Sequence, residues 1–325
     1  MACRYLDSFD TYTTLLQRWN TASGSIVAGA ARTGIAGFRD GALRKTFDAQ
    51  GTWIIGIGFR TTLLQASLLE IGTWDAGAQQ CRVITNANGT ISLFRGGATL
   101  VVTSALSILA NVYYYLELKH IIANAGGTLE LRLNGAVWAT FTGDTQETAN
   151  ATADEIRIGA NGAGTDDWDD LYIYDGTGAI NNDYAGDSQI EAELPSGVGN
   201  YTEFTTLVGA ATHWQAVNEV PPNDDTSYVE ATVLNQRDTF AFTNLTPTSA
   251  TIPAIQVSMR MRKTAAGVIN GARMYRSGVT DDQGANVALS TSYVTILEVM
   301  ETDPIAVAAW NVGAINGAEF GARAT

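Results

Sequence analysis

At 325 residues, with 46% hydrophobic and 16% charged residues, the chain holds enough apolar surface for two buried cores and is too apolar for a disordered polymer. Glycine is abundant at 33 residues and proline scarce at 6, with the glycines between short apolar runs, which suits many tight turns. The net charge of −14 is concentrated: residues 140–235 hold 18 acids against one base, Arg157, a surface that repels polyphosphate and argues against a nucleic-acid partner.

No run approaches the roughly 20 apolar residues of a membrane-spanning helix, so no membrane partner is expected. Residues 1–7 (MACRYLD) lack a charged region followed by an apolar core, so the expectation is synthesis in a host cytoplasm without a secretory signal.

In chain order, residues 52–60 (TWIIGIGFR) are β-branched and aromatic and predict a strand. Residues 61–71 and 101–110 carry leucines near helical spacing but lie between strand signals without caps, so both are read as strands with a turn. Residues 80–85 and 90–94 flank Asn86-Ala87-Asn88-Gly89, where Asn-Gly suits a tight hairpin. Residues 113–120 alternate over their second half. Residues 128–133 (TLELRL) alternate strictly, then Asn134-Gly135 turns into 136–141, the clearest hairpin in the chain. Strict alternation means one face buried and one wet, and no βαβ alternation appears.

Leu194-Pro195-Ser196-Gly197 and Pro221-Pro222-Asn223-Asp224 mark polar breaks. Strands are then expected over 228–234, 238–242, 254–262, 271–277 and 293–300, a turn of helix over 310–316, and a last strand over 318–321. Residues 255–262 alternate, with Gln256, Ser258, Arg260 and Arg262 on the polar side. The fold class is all-β: two antiparallel β-sandwich, jelly-roll-like domains in tandem. The expected division is a domain over 1–187, a connector over 188–226 and a C-terminal sandwich over 227–325.

Catalytic motifs are absent: no H-E-x-x-H, no G-x-S-x-G and no G-x-x-x-x-G-K. Gly56-x-Gly58 sits inside a strand and lacks a third glycine, and His120 and His213 stand in different units without partner motifs. Glu117 and Glu130 could pair as glycosidase carboxylates, but Glu beside Lys or Arg on alternating strands is ordinary cross-strand pairing. No catalytic residue is assigned, and the expectation is that the chain is not an enzyme. Cys3 and Cys81 read as two small buried hydrophobes, with a single bridge as the alternative.

The dense constellation is the run 161–176 (NGAGTDDWDDLYIYDG). Hard oxygen ligands in a Gly-rich loop suit calcium, with Asp166, Asp167 and Asp169 as candidate ligands. The competing reading is that Asp169 and Asp170 satisfy loop amides ahead of a strand. Trp74 with Asp75, and Trp168 between Asp167 and Asp169, are candidate glycan-binding residues, since an exposed indole stacks on a sugar face.

Trp168-Asp169-Asp170-Leu171-Tyr172-Ile173-Tyr174-Asp175, led in by Glu155 to Ala160, resembles the late-strand signature of laminin-G-like, concanavalin A-like jelly rolls over residues 1–185. The resemblance implies two packed antiparallel sheets, a fold used for sugar binding, protein contacts and plain structure. Asp7-Ser8-Phe9-Asp10-Thr11-Tyr12 with Arg18-Trp19, and Asp225-Thr226-Ser227-Tyr228-Val229 with Ile315 to Gly321, resemble virion proteins of tailed bacteriophages. That implies a structural protein on the particle exterior (capsid decoration, head fibre or tail appendage) acting through contacts with other virion proteins. A homo-oligomer is expected, a trimer favoured, with the Arg260/Arg262/Lys263 stripe meeting the acidic section between subunits. The alternative is a carbohydrate-binding adhesin that contacts a host surface glycan, with calcium assisting.

Overall fold

The computed structural model describes residues 2–66, 69–160 and 163–325. It divides into two compact units, one ending at Ile190 and one running from Glu191 to Thr325.

The first unit contains β1 (Cys3–Asp7), β2 (Thr21–Ala22), β3 (Ser25–Val27), β4 (Gly37–Arg39) and β5 (Ala42–Gln50). There follow β6 (Thr52–Thr61), β7 (Leu69–Asp75), β8 (Ala78–Thr85), β9 (Thr90–Arg95) and β10 (Thr99–Ser107). The last five are β11 (Tyr114–Ile121), β12 (Gly127–Leu133), β13 (Ala136–Gly143), β14 (Ala153–Ala160) and β15 (Asp166–Asp175). One sheet runs β13-β12-β11-β6-β15-β4-β3 with β1 beside β15, and the second runs β10-β9-β8-β7-β14-β5-β2. All pairings are antiparallel, and most strands neighbour one distant in sequence, as in a jelly roll.

Alternation assigns the faces. In the first sheet Trp53, Ile55, Ile57, Leu116, Leu118, Leu129, Leu131 and Ile173 are buried on the side that meets the second sheet's Leu43, Ile71, Val83, Ile91, Leu93, Ile156 and Ile158. Hydrogen bonds cross this core: Trp53 Nε1 donates to Ala153 O (3.0 Å), and His120 Nδ1 lies 2.9 Å from Thr73 Oγ1. Cys3 and Cys81 are both free and buried.

The Asn134-Gly135 hairpin joins β12 to β13, with φ of 48° and 79°, the two positive values of a type I′ turn. Residues 61–71 are the end of β6, a loop and the start of β7, with Ser67 and Leu68 outside the described residues. Residues 99–107 are a strand throughout, β10. Gly56 and Gly58 on β6 serve packing: a Cβ at Gly56 would sit 2.1 Å from the Tyr172 ring, and one at Gly58 would sit 2.6 Å from Arg32 Cδ. Gly56→Ala is therefore expected to lower stability by about 1–3 kcal/mol through overpacking, read by urea unfolding. A neutral result would mean that Tyr172 swings clear.

The second unit contains β16 (Pro195–Thr202), β17 (Thr206–Val208), β18 (Tyr228–Glu230), β19 (Arg237–Phe242), β20 (Ile255–Met261) and β21 (Asn270–Ser277). It continues with β22 (Thr280–Gln283), β23 (Val287–Ala288), β24 (Val294–Met300), β25 (Thr302–Asp303) and β26 (Ala308–Ala309), then α1 (Val312–Asn316) and β27 (Ala318–Ala324). Its main sheet runs β16-β19-β27-β21-β22, and the β20–β24 ribbon packs on it through Tyr275, Phe320, Met300, Ile255 and Val257. Asn311 caps α1, its side chain accepting from Ala314 N. The stretch expected as a connector differs: residues 195–202 are β16, hydrogen-bonded to β19, so much of 188–226 is part of the second unit. The glycines and prolines there punctuate strands rather than a linker.

Candidate functional site

β15 carries the acidic run, and every residue of it is buried. A bulge between Asp169 and Tyr172, with Asp170 at φ 53°, turns two consecutive carboxylates toward the segment 32–36. Asp169 accepts from the backbone N–H groups of Arg32 (2.6 Å), Thr33 (3.0 Å) and Asp170 (2.8 Å). Asp170 accepts from Arg32 Nη1, Thr33 Oγ1 and Ile190 N, each at 2.8 Å. Asp10 holds the same segment through Ile35 N (2.7 Å) and Ala36 N (2.8 Å). Burial and the neighbouring Asp170 carboxylate push the Asp169 carboxyl up to about 8, against the N–H donors that hold it down.

The three candidate calcium ligands are not brought together. Asp167 is gripped by Arg39 Nε (2.6 Å) and Arg60 Nη2 (2.5 Å). Asp169 is occupied by backbone amides. Strand alternation directs Asp166 to the opposite face, where burial pushes its carboxyl up to about 6. Among the described residues no group of three or more His, Cys, Asp or Glu side chains is placed to hold a metal ion. Asn161 and Gly162, which open the same run, lie outside the described residues.

The candidate glycan-binding residues are corrected by burial. Trp168 is 0% exposed, with its ring 4.6 Å from that of Phe59, so its faces are used inside the sandwich. Trp74 is 4% exposed, capped by the Arg157 guanidinium at 4.3 Å. Asp75 accepts from Thr148 Oγ1 (2.6 Å) and Asn150 Nδ2 (3.0 Å), fixing a loop. The core claims aromatic area first, because it offers the largest apolar burial.

The outward face of the first sheet is covered by the chain itself. Residues 183–190 cross it: Asp183 pairs with Lys119 (3.0 Å), the Tyr184 ring lies 3.8 Å from the Arg132 guanidinium carbon, and Asp187 pairs with Arg32. Beneath them Glu117 is fully buried and accepts from Tyr172 Oη and Gly186 N. Glu130 pairs instead with Arg132 (2.7 Å). The two carboxylates are taken up separately by these partners. In the second unit Arg260 and Arg262 pair with Asp224 and Asp225, so the stripe expected to meet another subunit is met within its own unit.

Sequence reasoning missed the outward face of the second sheet. In register across β5, β14, β7, β8 and β9 stand Arg44, Arg157, Gly72, Arg82 and Phe94. Arg157 is paired with Glu155. Arg82 stacks over Phe94 at 4.9 Å. The available signal was that each arginine alternates with a buried apolar neighbour; nothing local says that the strands are adjacent.

No protein-family model matches the chain, and no curated protein sequence matches it. Solved structures share the sandwich over about half of the chain. An endo-β-1,4-glucuronan lyase from Trichoderma reesei is 11% identical, covering 53% of this chain and 90% of its own, at TM-score 0.40. An alginate lyase is 7% identical, covering 52% and 95% at TM-score 0.37. A Bacillus subtilis protein of unknown function with a galectin-like fold is 12% identical, covering 54% and 96% at TM-score 0.37. A sialidase also matches, over 18% of its own length. At these identities the likeness concerns the fold alone, a galectin-like or jelly-roll β-sandwich. It also corrects the expectation that the chain is not an enzyme. The matched structures are mostly carbohydrate-active enzymes, so neither this fold nor missing sequence motifs excludes catalysis.

Proposed function

We propose that the chain is a component of a tailed-phage particle exterior that acts through surface contacts, as a decoration, head-fibre or tail-appendage protein. The observation that carries this reading is how the first unit is pinned. Six buried carboxylates (Asp7, Asp10, Asp167, Asp169, Asp170 and Asp175) hold its N-terminal segment, its 32–36 segment and two arginine-bearing strands to one sheet. Such clamps give a rigid surface without a disulfide, which suits a protein displayed outside a cell. The virion setting is supported by the resemblance at Asp7 to Tyr12 with Arg18-Trp19, and at 225–229 with 315–321.

Antibody labelling of purified particles in the electron microscope is expected to place the protein on the particle surface. Recovery of all of it in the lysate, with bare particles, would overturn the reading. Analytical ultracentrifugation at micromolar concentration is expected to give the mass of a trimer of 34.5 kDa chains; a monomer would remove the oligomeric part.

A further inference from the structure

We propose that the outward face of the second sheet is a binding site for a carboxylate-bearing polysaccharide. Arg44, Arg157 and Arg82 lie in one row, and at about 4.8 Å between strands Arg44 and Arg82 are roughly 14 Å apart. Among the described residues of the first unit, Arg44 and Arg82 alone of the arginines and lysines make neither an ion pair nor a hydrogen bond to a protein acceptor. Arg82 Nε is moreover shut off from solvent without a partner. Carboxylates outnumber bases 33 to 19 in this chain, so a partner was available in composition and none is placed there. An arginine without an acid partner in the chain keeps its guanidinium fork for an incoming carboxylate.

The second observation is a hollow between the first two arginines, lined by Ala42, Arg44, Glu70, Arg157, Ile158 and Gly159. Gly159 lies close against the neighbouring strand, where a Cβ would sit 2.5 Å from Gly41 O. A guanidinium fork takes a carboxylate bidentately; Arg44, without an acid partner, flanks the hollow opposite Arg157, whose Nε is already held by Glu155. Glu70 on its wall accepts from Gln79 Nε2 at 2.8 Å through Oε1, which leaves Oε2 for a ligand hydroxyl. Acid and hydroxyl on one ligand describe an acidic sugar. Arg82 on its Phe94 shelf would meet a second acidic unit farther along the chain.

The inference rests on this face and not on the virion reading, and is tested separately. Isothermal titration of the full chain uses an oligogalacturonate, a sulfated oligosaccharide and a neutral glucan as probes. Expected is binding of the oligogalacturonate that weakens with salt, falls tenfold or more in Arg44→Ala and again in Arg82→Ala, and is unchanged in Arg262→Ala. Arg44 is exposed, so its variant is expected to keep the wild-type circular dichroism and thermal midpoint. Equal binding of the neutral glucan, stronger binding of the sulfated probe, no binding of the oligogalacturonate, or equal loss in Arg262→Ala would each overturn the proposal.

Discussion

Replacing Asp7 by alanine is expected to lower the unfolding free energy of the first unit by about 3–5 kcal/mol, the range for removing one partner of a buried charged network. Asp7 is 1% exposed and collects donors from all around it. Its Oδ2 accepts from Tyr12 Oη (2.6 Å), Tyr5 Oη (2.8 Å) and Trp19 Nε1 (3.2 Å). Its Oδ1 accepts from Phe9 N (3.0 Å) and Arg18 Nη1 (3.4 Å). Alanine would strand two buried phenols at once, while Trp19 Nε1 keeps the Tyr12 hydroxyl (3.0 Å) and Arg18 keeps Thr11 Oγ1 (2.6 Å) as acceptors. The Tyr5 and Tyr12 hydroxyls are held well above the ordinary tyrosine range by burial and then by the Asp7 charge, so both stay protonated and each needs an acceptor. Asp7→Asn keeps one acceptor oxygen and should fall between. Urea unfolding showing less than about 1 kcal/mol of loss for the alanine variant would mean that water replaces the carboxylate there.

The second large effect is an acid-sensitive term centred on His120. The ring is fully buried, Nε2 donates to the Thr145 carbonyl at 3.1 Å, and Nδ1 therefore accepts from the Thr73 hydroxyl at 2.9 Å. Burial pushes the imidazole down to about 4 from an ordinary 6.5. Between those values the unfolded chain binds a proton that the folded chain does not, so this contribution to stability falls as pH drops from 6.5 to 4. It amounts to about 3 kcal/mol by the lower limit. Asp166 and Asp169 act with the opposite sign: their raised folded values mean that stability is lost as pH rises from about 4 toward 6 and 8. His120→Leu separates the two, because leucine does not titrate and the carboxyls remain. The stability gap between wild type and variant is expected to shrink by about 3 kcal/mol from pH 7 to pH 4. A gap that stays constant would show that the ring takes up its proton equally in the folded and unfolded chain.

Strand identity and face were legible in the sequence because both follow from short-range rules. Asn134-Gly135 made its turn, since few residues accept the two positive φ values it needs. Residues 128–133 alternated and became β12 with pattern BiBiBiB. The reading of Asp169 and Asp170 as holders of amides in their own loop met only Asp170 N; their other partners stand on Arg32 and Thr33, some 137 residues earlier, and on Ile190. Trp74 and Trp168 could not be placed that way, because whether an indole is wet depends on what packs above it. The connector over 188–226 failed for a related reason: Pro195 and Gly197 look like loop residues until β19 lies alongside.

For this protein, then, the sequence by itself determined the all-β class and the principal hairpins, because backbone alternation and turn sterics act over a few residues. Only the tertiary structure decided that Asp166, Asp167 and Asp169 diverge, that Trp74 and Trp168 are covered, and that Arg44, Arg157 and Arg82 share one row. Those outcomes depend on which strands become neighbours, a choice made by burying apolar faces far apart in the chain.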